Sequence, residues 1–565
     1  MGRATLELGA RGPAPGGGPR GDGAAGSVGL MAEEPIQPAG EAPVDESRPR
    51  VTGRRMGGNL LMTSASYAWS ALLLVVSVPI LVHGLGVSAY GVFALASLLL
   101  GYAALLDLGL TPAVVRAIAI HALNPDQRPF SKIMGTAFSL FLGLGLLGGL
   151  ALLALAPLAV DGILHLPPGL RADARFVLDL TAVGFAANLG LTLFTAVPQG
   201  LQRLDVYAGR TIFLSTLSAA AQIGAVKLGF GLRGVATGTL AVNLLGLVLF
   251  LVVARRLLPG VDIRPRFDRW ALRQLAGFGA MKFVSQLASL LTFQLDRVIV
   301  AAFLPIAQVT YYAVPVTITQ KMALVQASFS TVFFPAASEM HAVGDQVRLR
   351  RLYLSAQKLM VTLVLPLVVL LAVLSRPLLS AWLGPSFAAA SAGILAALAV
   401  GYGLTLLTGV PALIADATGH PHWTATAGVV YAVINLTLTI VLVPRFGAIG
   451  AAYAFLANSV VQGLAFVLIV QRVLVGVGVF EVVRSVVLRP AAMGVVVLAY
   501  ALLAAGIVST LLELIVALLF GGVLAIVLVL ALGILGEDER RVARGVLDAA
   551  LLRVRRLSPL GRGSG

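Results

Sequence analysis

Residues 138–160 read FSLFLGLGLLGGLALLALAPLAV, a run with no charged side chain. A helix of roughly 20 apolar residues covers the hydrocarbon core of a bilayer, which is about 30 Å thick. Similar runs follow one another from about Gly58 to Leu535. Of the 565 residues, 58% are hydrophobic and 12% are charged, which no ordinary soluble domain matches. The sequence therefore predicts an all-α integral membrane protein that crosses the bilayer many times.

The apolar stretches predict about 14 transmembrane helices. Their expected spans are 58–84, 88–109, 130–160, 176–198, 206–229, 232–254, 274–303, 308–335, 354–380, 388–413, 422–443, 447–470, 485–507 and 511–535. Residues 110–121 are expected to be a short helical continuation of the second span. Pro112 and the preceding Asp107-Leu108-Gly109 would bend or break the helix between them.

Lysine and arginine residues are unequally divided between alternate loops. One set of loops carries 18 of them and the opposite set carries 6. Since loops rich in Lys and Arg stay in the cytoplasm, both termini are expected to be cytoplasmic. This distribution also accounts for the net charge of +16, because the cations lie at helix ends and not in one stripe that would fit nucleic acid. The expected location is the inner (cytoplasmic) membrane.

The chain repeats itself weakly at a separation near 217 residues. Leu85–Phe93 (LGVSAYGVF) aligns with Leu304–Tyr312 (LPIAQVTYY), and Phe230–Ala236 (FGLRGVA) aligns with Phe446–Ala452 (FGAIGAA). Six spans intervene, so the repeats share one orientation and predict two pseudo-symmetric six-helix lobes around a central cavity. The expected order is a disordered cytoplasmic tail (1–55), the N-lobe with helices 1–6 (56–257), a cytoplasmic linker (258–272), the C-lobe with helices 7–12 (273–472), helices 13–14 (473–536) and a basic cytoplasmic tail (537–565).

Several function classes are disfavoured by what the sequence contains. The chain has no cysteine, so it has no disulfide or thiol chemistry, and its six histidines lack metal-ligand spacing. It has no phosphate-binding loop of the ATPase type. The longest predicted outer loop, from Asp161 to about Arg175, is too short to hold a catalytic domain. We therefore expect no enzyme activity, no cofactor and no metal.

Ionisable side chains inside membrane spans are functional candidates by default. The candidates for a substrate-binding cavity, including nearby amides, are Lys321, Arg297, Lys282, Arg116, Gln320 and Gln326. The candidates for ion coupling are Asp296 and Asp107. Structural alternatives stay open, since Asp107 could cap the bend, Lys282 could extend to the membrane surface, and the glutamines could bond between helices.

Five short segments together resemble a known family. They are Tyr90–Phe93 (YGVF), Leu106–Leu110 (LDLGL) with Arg116, Leu295–Val300 (LDRVIV), Tyr311-Tyr312, and Asn435–Leu438 (NLTL) through Leu442–Tyr453 (LVPRFGAIGAAY). This set is similar to the polysaccharide-transporter (Wzx-type) branch of the multidrug/oligosaccharidyl-lipid/polysaccharide flippase superfamily, over about residues 54–475. The first span lacks the charged residue that some flippase relatives carry there, which puts a cation-rich site in the first helix in doubt.

The resemblance implies a lipid-linked oligosaccharide flippase. Such a protein moves an undecaprenyl-pyrophosphate-linked glycan across the membrane by alternating access, for surface polysaccharide biosynthesis. Its partners would be that glycolipid, membrane lipids and other polysaccharide-assembly proteins, and not nucleic acid. The alternative within the same superfamily is a cation-coupled exporter of drug-like molecules, which would want an acidic, aromatic cavity. A scaffold that keeps the fold without transport is a further alternative.

Overall fold

The computed structural model describes residues 53–121, 128–276 and 294–536, and nearly all of them are helical. The helices, numbered in chain order, are α1 (Gly53–Leu85), α2 (Val87–Leu106), α3 (Leu110–His121), α4 (Arg128–Leu158), α5 (Arg171–Gly200), α6 (Leu204–Lys227), α7 (Gly231–Leu257), α8 (Leu295–Phe303), α9 (Ile306–Gln320), α10 (Ala323–Ala342), α11 (Gln346–Val373), α12 (Ser375–Leu383), α13 (Pro385–Leu407), α14 (Gly409–Ala417), α15 (Pro421–Phe446), α16 (Ala448–Val473), α17 (Val479–Val482), α18 (Leu488–Ile507) and α19 (Leu511–Ala531). No β-strand occurs in this part of the chain. The predicted all-α membrane class is confirmed.

Within the described ranges, ten helical segments are long and apolar enough to cross a membrane. They are Ala68–Leu85, Arg128–Ile163, Pro168–Gly200, Gly231–Leu257, Gln346–Val373, Pro385–Ala417, Pro421–Phe446, Ala448–Val473, Val479–Ile507 and Leu511–Ala531. The second predicted span is helical but shorter, the fifth carries charges at both ends, and most of the seventh lies outside the described residues. The count of 14 therefore stays a prediction.

The predicted break after the second span is confirmed. Helix α2 ends at Leu106 and α3 begins at Leu110. Between them Leu108 and Gly109 adopt positive φ angles of 52° and 75°, and the Gly109 N–H donates to Asp107 Oδ1 at 2.9 Å. The short Asp side chain stabilises the turn locally, as such side chains commonly do.

The eighth predicted span is not one continuous helix, contrary to expectation. Helix α9 ends at Gln320 and α10 begins at Ala323, with tight backbone bonds from Lys321 N to Ile318 O and from Met322 N to Thr319 O. Pro315 lies inside α9 and has no N–H to give to the carbonyl four residues earlier. Ser391 Oγ on α13 donates to that carbonyl, of Tyr311, at 2.6 Å.

Helix starts recur at the spacing of the sequence repeat. Helix α9 starts 219 residues after α2, at Ile306 against Val87. Helix α16 starts 217 residues after α7, at Ala448 against Gly231. The repeated sequence therefore produces repeated helices, as the two-lobe prediction requires. The exact lobe boundaries remain predictions.

The two repeats meet along a seam between α2 and α9. Thr310 Oγ1 on α9 donates to the Val87 carbonyl at 2.6 Å. A methyl group on Gly91 would collide with the Ile306 carbonyl, so only glycine lets the two backbones come this close. The Ile306 N–H also donates to the His165 carbonyl at 3.3 Å. All these groups lie at the helix ends predicted to face outward.

The predicted linker is not a free loop. Its backbone is bonded to α4 by Asp262 N to Ser131 Oγ, Arg266 N to the Gly135 carbonyl and Asp268 N to Thr136 Oγ1, at 3.1–3.2 Å. Helix α1 already begins at Gly53, inside the stretch predicted as a tail. The rest of that tail (1–52) and the basic tail (537–565) lie outside the described residues.

Candidate functional site

Asp296 lies in the first turn of α8 and is almost completely buried, with 4% of its surface exposed. Three neutral donors bind its carboxylate. Tyr312 Oη donates to Oδ2 at 3.0 Å, while Asn435 Nδ2 and Thr439 Oγ1 donate to Oδ1 at 3.0 and 3.2 Å. A carboxylate deep in a membrane protein is costly unless such partners satisfy it. The carboxylate is therefore held by three hydrogen bonds from α9 and α15.

Arg297, the next residue, faces different neighbours. Its guanidinium acts electrostatically on Tyr90 and Tyr102 of α2 and on Tyr402 of α13, so it lies where the two repeats meet. Its Nε is buried and has no hydrogen-bond partner in the described part of the chain. Adjacent helical residues point about 100° apart, which explains why Asp296 and Arg297 serve separate surroundings.

Gln320 and Lys321 also diverge, because they lie at the break between α9 and α10. Gln320 bonds to the Tyr402 side chain, close to Arg297. Lys321 instead lines a pocket of about 270 Å³ between α1, α9, α12 and α19. Its side chain is exposed. The break thus gives each half of this polar pair a different site.

The pocket around Lys321 is otherwise apolar. Its other lining residues are Ala71, Leu74, Val75, Ile318, Leu378, Trp382, Leu511, Leu514 and Leu518. Trp382 Nε1 donates to the Val75 carbonyl at 2.8 Å and ties α12 to α1. One ammonium group in a wall of hydrocarbon suits a molecule with an apolar body and an anionic group.

The remaining predicted residues lie apart from these two places. Asp107 is buried in the turn between α2 and α3, and Arg116 is exposed on α3. Gln326 on α10 packs against Gly409 at the start of α14. Lys282 lies outside the described residues. In the described ranges, no three His, Asp or Glu side chains come together in a way that could hold a metal ion.

The sequence reasoning missed Tyr312, Thr439 and Trp382 as site residues and treated Asn435 only as a contact between helices. One signal was present, because Tyr431, Asn435 and Thr439 are spaced by four residues on α15 and therefore share one face. Nothing in the sequence indicates that this face meets Asp296.

Residues 80–392 match the family described as "Polysaccharide biosynthesis protein", which is more than half of the chain. The chain belongs to this family. A relative named "Putative O-antigen transporter" from Shigella flexneri is 24% identical over 406 residues, which cover 70% of this chain and 93% of the relative. "Probable flippase AglR" from Haloferax volcanii is 23% identical over 385 residues, covering 67% and 75%.

Two solved structures share the fold of this family member. The lipid II flippase MurJ in an inward closed conformation matches with a TM-score of 0.64 at 14% identity, over 83% of this chain and 97% of that one. An inward-facing multidrug transporter of the MATE family, from the multidrug/oligosaccharidyl-lipid/polysaccharide superfamily, matches with a TM-score of 0.54 at 17% identity, over 73% and 98%. The predicted superfamily is confirmed, and the protein is a multi-pass membrane protein of polysaccharide biosynthesis.

Proposed function

We propose that this protein is a flippase that moves an undecaprenyl-pyrophosphate-linked oligosaccharide across the cytoplasmic membrane by alternating access. The observation that carries the proposal is Lys321, the charged residue in the wall of an otherwise apolar pocket. A polyprenyl phosphate combines a long hydrocarbon with an anion, and the pocket offers a matching pair of environments. The names of the relatives, a transporter of O-antigen and a flippase, support the same substrate class.

Arg297 and Gln320 supply the second part of the proposed site. They lie near Tyr402 at the meeting of the two repeats, and Arg297 has a buried Nε with a donor to spare in the described residues. A guanidinium binds phosphate and sugar oxygens through several donors at once. In this proposal the headgroup lies against Arg297 and Gln320 in the central cavity, while the lipid lies along the pocket beside Lys321.

The membrane potential provides a direction for transport. An inside-negative potential favours outward movement of an anion by about 2.3 kcal/mol per charge per 100 mV. A pyrophosphate with roughly two charges would gain about twice that amount. With both termini in the cytoplasm, as we propose, the glycolipid would start on the cytoplasmic leaflet. Transport in proteoliposomes under a clamped potential tests this drive, and a rate indifferent to the sign of the potential refutes it.

Asp296 is the proposed ion-coupling residue. Its buried carboxylate already has hydroxyl and amide groups around it, which suits exchange of a proton or a monovalent cation. Asp107 remains a weaker candidate, because its Oδ1 accepts a backbone bond within its own turn. Transport driven by an imposed cation or proton gradient should be lost in Asp296→Asn and kept in Asp107→Asn.

The substrate is tested by substituting Lys321. Lys321→Gln should slow flipping of a lipid-linked oligosaccharide in proteoliposomes about 5- to 150-fold, since a hydrogen bond to a charged group contributes about 1–3 kcal/mol. Lys321→Arg should keep most of the activity. Lys227→Gln, at the exposed end of α6, is the matched control and should have no effect. Equal rates in the Lys321→Gln and wild-type proteins would contradict the proposal.

The MATE-like fold keeps export of drug-like cations as the second candidate. A lysine in the pocket wall repels organic cations, so Lys321→Gln would speed their export if that were the function. Faster cation efflux together with no glycolipid flipping in the wild-type protein would decide for the exporter.

A further inference from the structure

Two arginines approach each other where α6 begins and α7 ends. Arg210 Nη1 donates to the Leu249 carbonyl, and its guanidinium carbon lies 5.8 Å from the ring centroid of Phe250. These contacts fix the Arg210 side chain against α7. Arg256, in the last turn of α7, is close enough to repel it electrostatically. Two fixed like charges are unfavourable until an anion lies between them.

A third arginine extends the positive charge. Arg255 and Arg256 are both exposed at the end of α7. The nearest acidic residue in the sequence, Asp262, is already bonded to Arg266 at 2.7 Å. Arg203 at the start of α6 is likewise occupied by Asp205 at 3.1 Å. The carboxylates of this end of the repeat are therefore engaged elsewhere, and the positive charge of Arg210, Arg255 and Arg256 is left to an outside anion.

An apolar surface leads directly to these arginines. Val248 and Val252 are exposed on α7, at 56% and 40%. Val252 lies one turn from Val248, and Arg255 and Arg256 follow one turn later on the same face. Phe213, 53% exposed, lies one turn from Arg210 on α6. A hydrocarbon chain along this surface would end with its headgroup at the three arginines.

Aromatic side chains nearby mark the depth of the membrane surface. The linker that follows α7 exposes Phe267 and Trp270 while its backbone is bonded to α4. Aromatic residues collect at the level of the lipid headgroups. The arginines are therefore placed at the headgroup level of a leaflet and not in its hydrocarbon.

We propose that Arg210, Arg255 and Arg256 bind the phosphate headgroup of an anionic phospholipid whose acyl chain lies along Val248 and Val252. This site is separate from Lys321 and Arg297 and does not depend on which molecule the protein transports. Basic pockets between membrane helices are a known way to hold such lipids. The leaflet is the one predicted to be cytoplasmic, where anionic lipids and positive loops attract each other.

Native mass spectrometry of the purified protein measures the proposed preference directly. Phosphatidylglycerol and phosphatidylcholine with identical acyl chains are titrated against the wild-type protein and an Arg210→Gln/Arg255→Gln/Arg256→Gln variant. Each arginine near a membrane surface should contribute about fivefold to anionic-lipid binding. We expect the wild-type protein to prefer phosphatidylglycerol by at least about tenfold, and the variant to lose that preference.

Two further variants separate the site from total charge and from misfolding. Arg351→Gln/Arg472→Gln/Arg484→Gln removes the same charge from exposed positions elsewhere and should keep the preference. Lysine at positions 210, 255 and 256 should restore it. If the triple glutamine variant does not fold, Arg256→Gln alone should weaken phosphatidylglycerol binding about fivefold. Equal binding of both lipids by the wild-type protein, or equal loss in the control variant, would overturn the proposal.

Discussion

Gly91→Ala is expected to weaken the seam between α2 and α9. The added methyl group would collide with the Ile306 carbonyl and lie 3.0 Å from Thr310 Oγ1. That hydroxyl is the donor of the 2.6 Å bond to the Val87 carbonyl, so the methyl group also disturbs the bond. Because the obstacle is backbone, no side-chain rotation relieves it. The two helices have to separate.

The size of the effect follows from these contacts. Overpacking a close contact costs about 1–3 kcal/mol, and a lost hydrogen bond adds about 0.5–1.5 kcal/mol. Only the closed seam bears this cost, so the ratio of open to closed molecules should rise about 10-fold or more. Gly101→Ala on the same helix is the matched control, since its nearest contact is the Gln294 side chain at 3.9 Å.

The absence of cysteine from the chain gives a clean assay. Ile306, 1% exposed at the seam, is replaced by cysteine and labelled from outside with a membrane-impermeant maleimide. Labelling should be slow in this background, about 10-fold faster with Gly91→Ala and unchanged with Gly101→Ala. Equal labelling rates in all three proteins would show that the seam does not limit access, and would refute the reasoning.

Three further outcomes are expected. Asp296→Ala should lower the free energy of unfolding by about 3–9 kcal/mol, because three buried donors lose their acceptor, whereas Asp296→Asn should cost less; identical thermal midpoints would contradict this. The Ala271 N–H, followed by Lys132, holds the pKa of Asp268 below its usual range, so its contribution is present above about pH 4 and lost as the pH falls; Asp268→Asn should reduce the loss of thermal stability between pH 6 and pH 3, and an unchanged loss would count against it. Gly149→Ala should destabilise by about 1–3 kcal/mol, because its methyl group would lie 2.7 Å from a carbonyl oxygen of α5, while Gly143→Ala, with open space around it, should not.

Local signals predicted the helical class and several helix ends. The turn after Asp107 follows from an Asp and a Gly flanking one residue, since Gly109 adopts a positive φ at little cost. The repeat also predicted where α9 and α16 start. The break at Lys321 was missed, because apolar residues continue on both sides and hydropathy alone does not register a missing backbone donor at Pro315.

The candidate site could be predicted only in its charges. A lysine or arginine inside a span announces a functional position, but its direction depends on neighbours that are distant in sequence. Lys321 faces residues of α19, almost 200 positions later, and Arg297 acts on tyrosines of α2, about 200 positions earlier. No local pattern carries that information, so the separation of the two cations into two places came only from the structure.

Asp296 shows how far physical reasoning can reach without contacts. A carboxylate in an apolar span must find donors within the membrane, because none are available from lipid. Such donors would have to come from another helix that shows polar residues at helical spacing. Among the predicted spans, the one containing Tyr431, Asn435 and Thr439 has that spacing, and two of these residues do bind the carboxylate. The cost of burying a charge therefore converts one acidic residue into a prediction about its partners. It does not predict Tyr312, whose neighbour Tyr311 fits the local pattern equally well and which is selected only by the packing of α9.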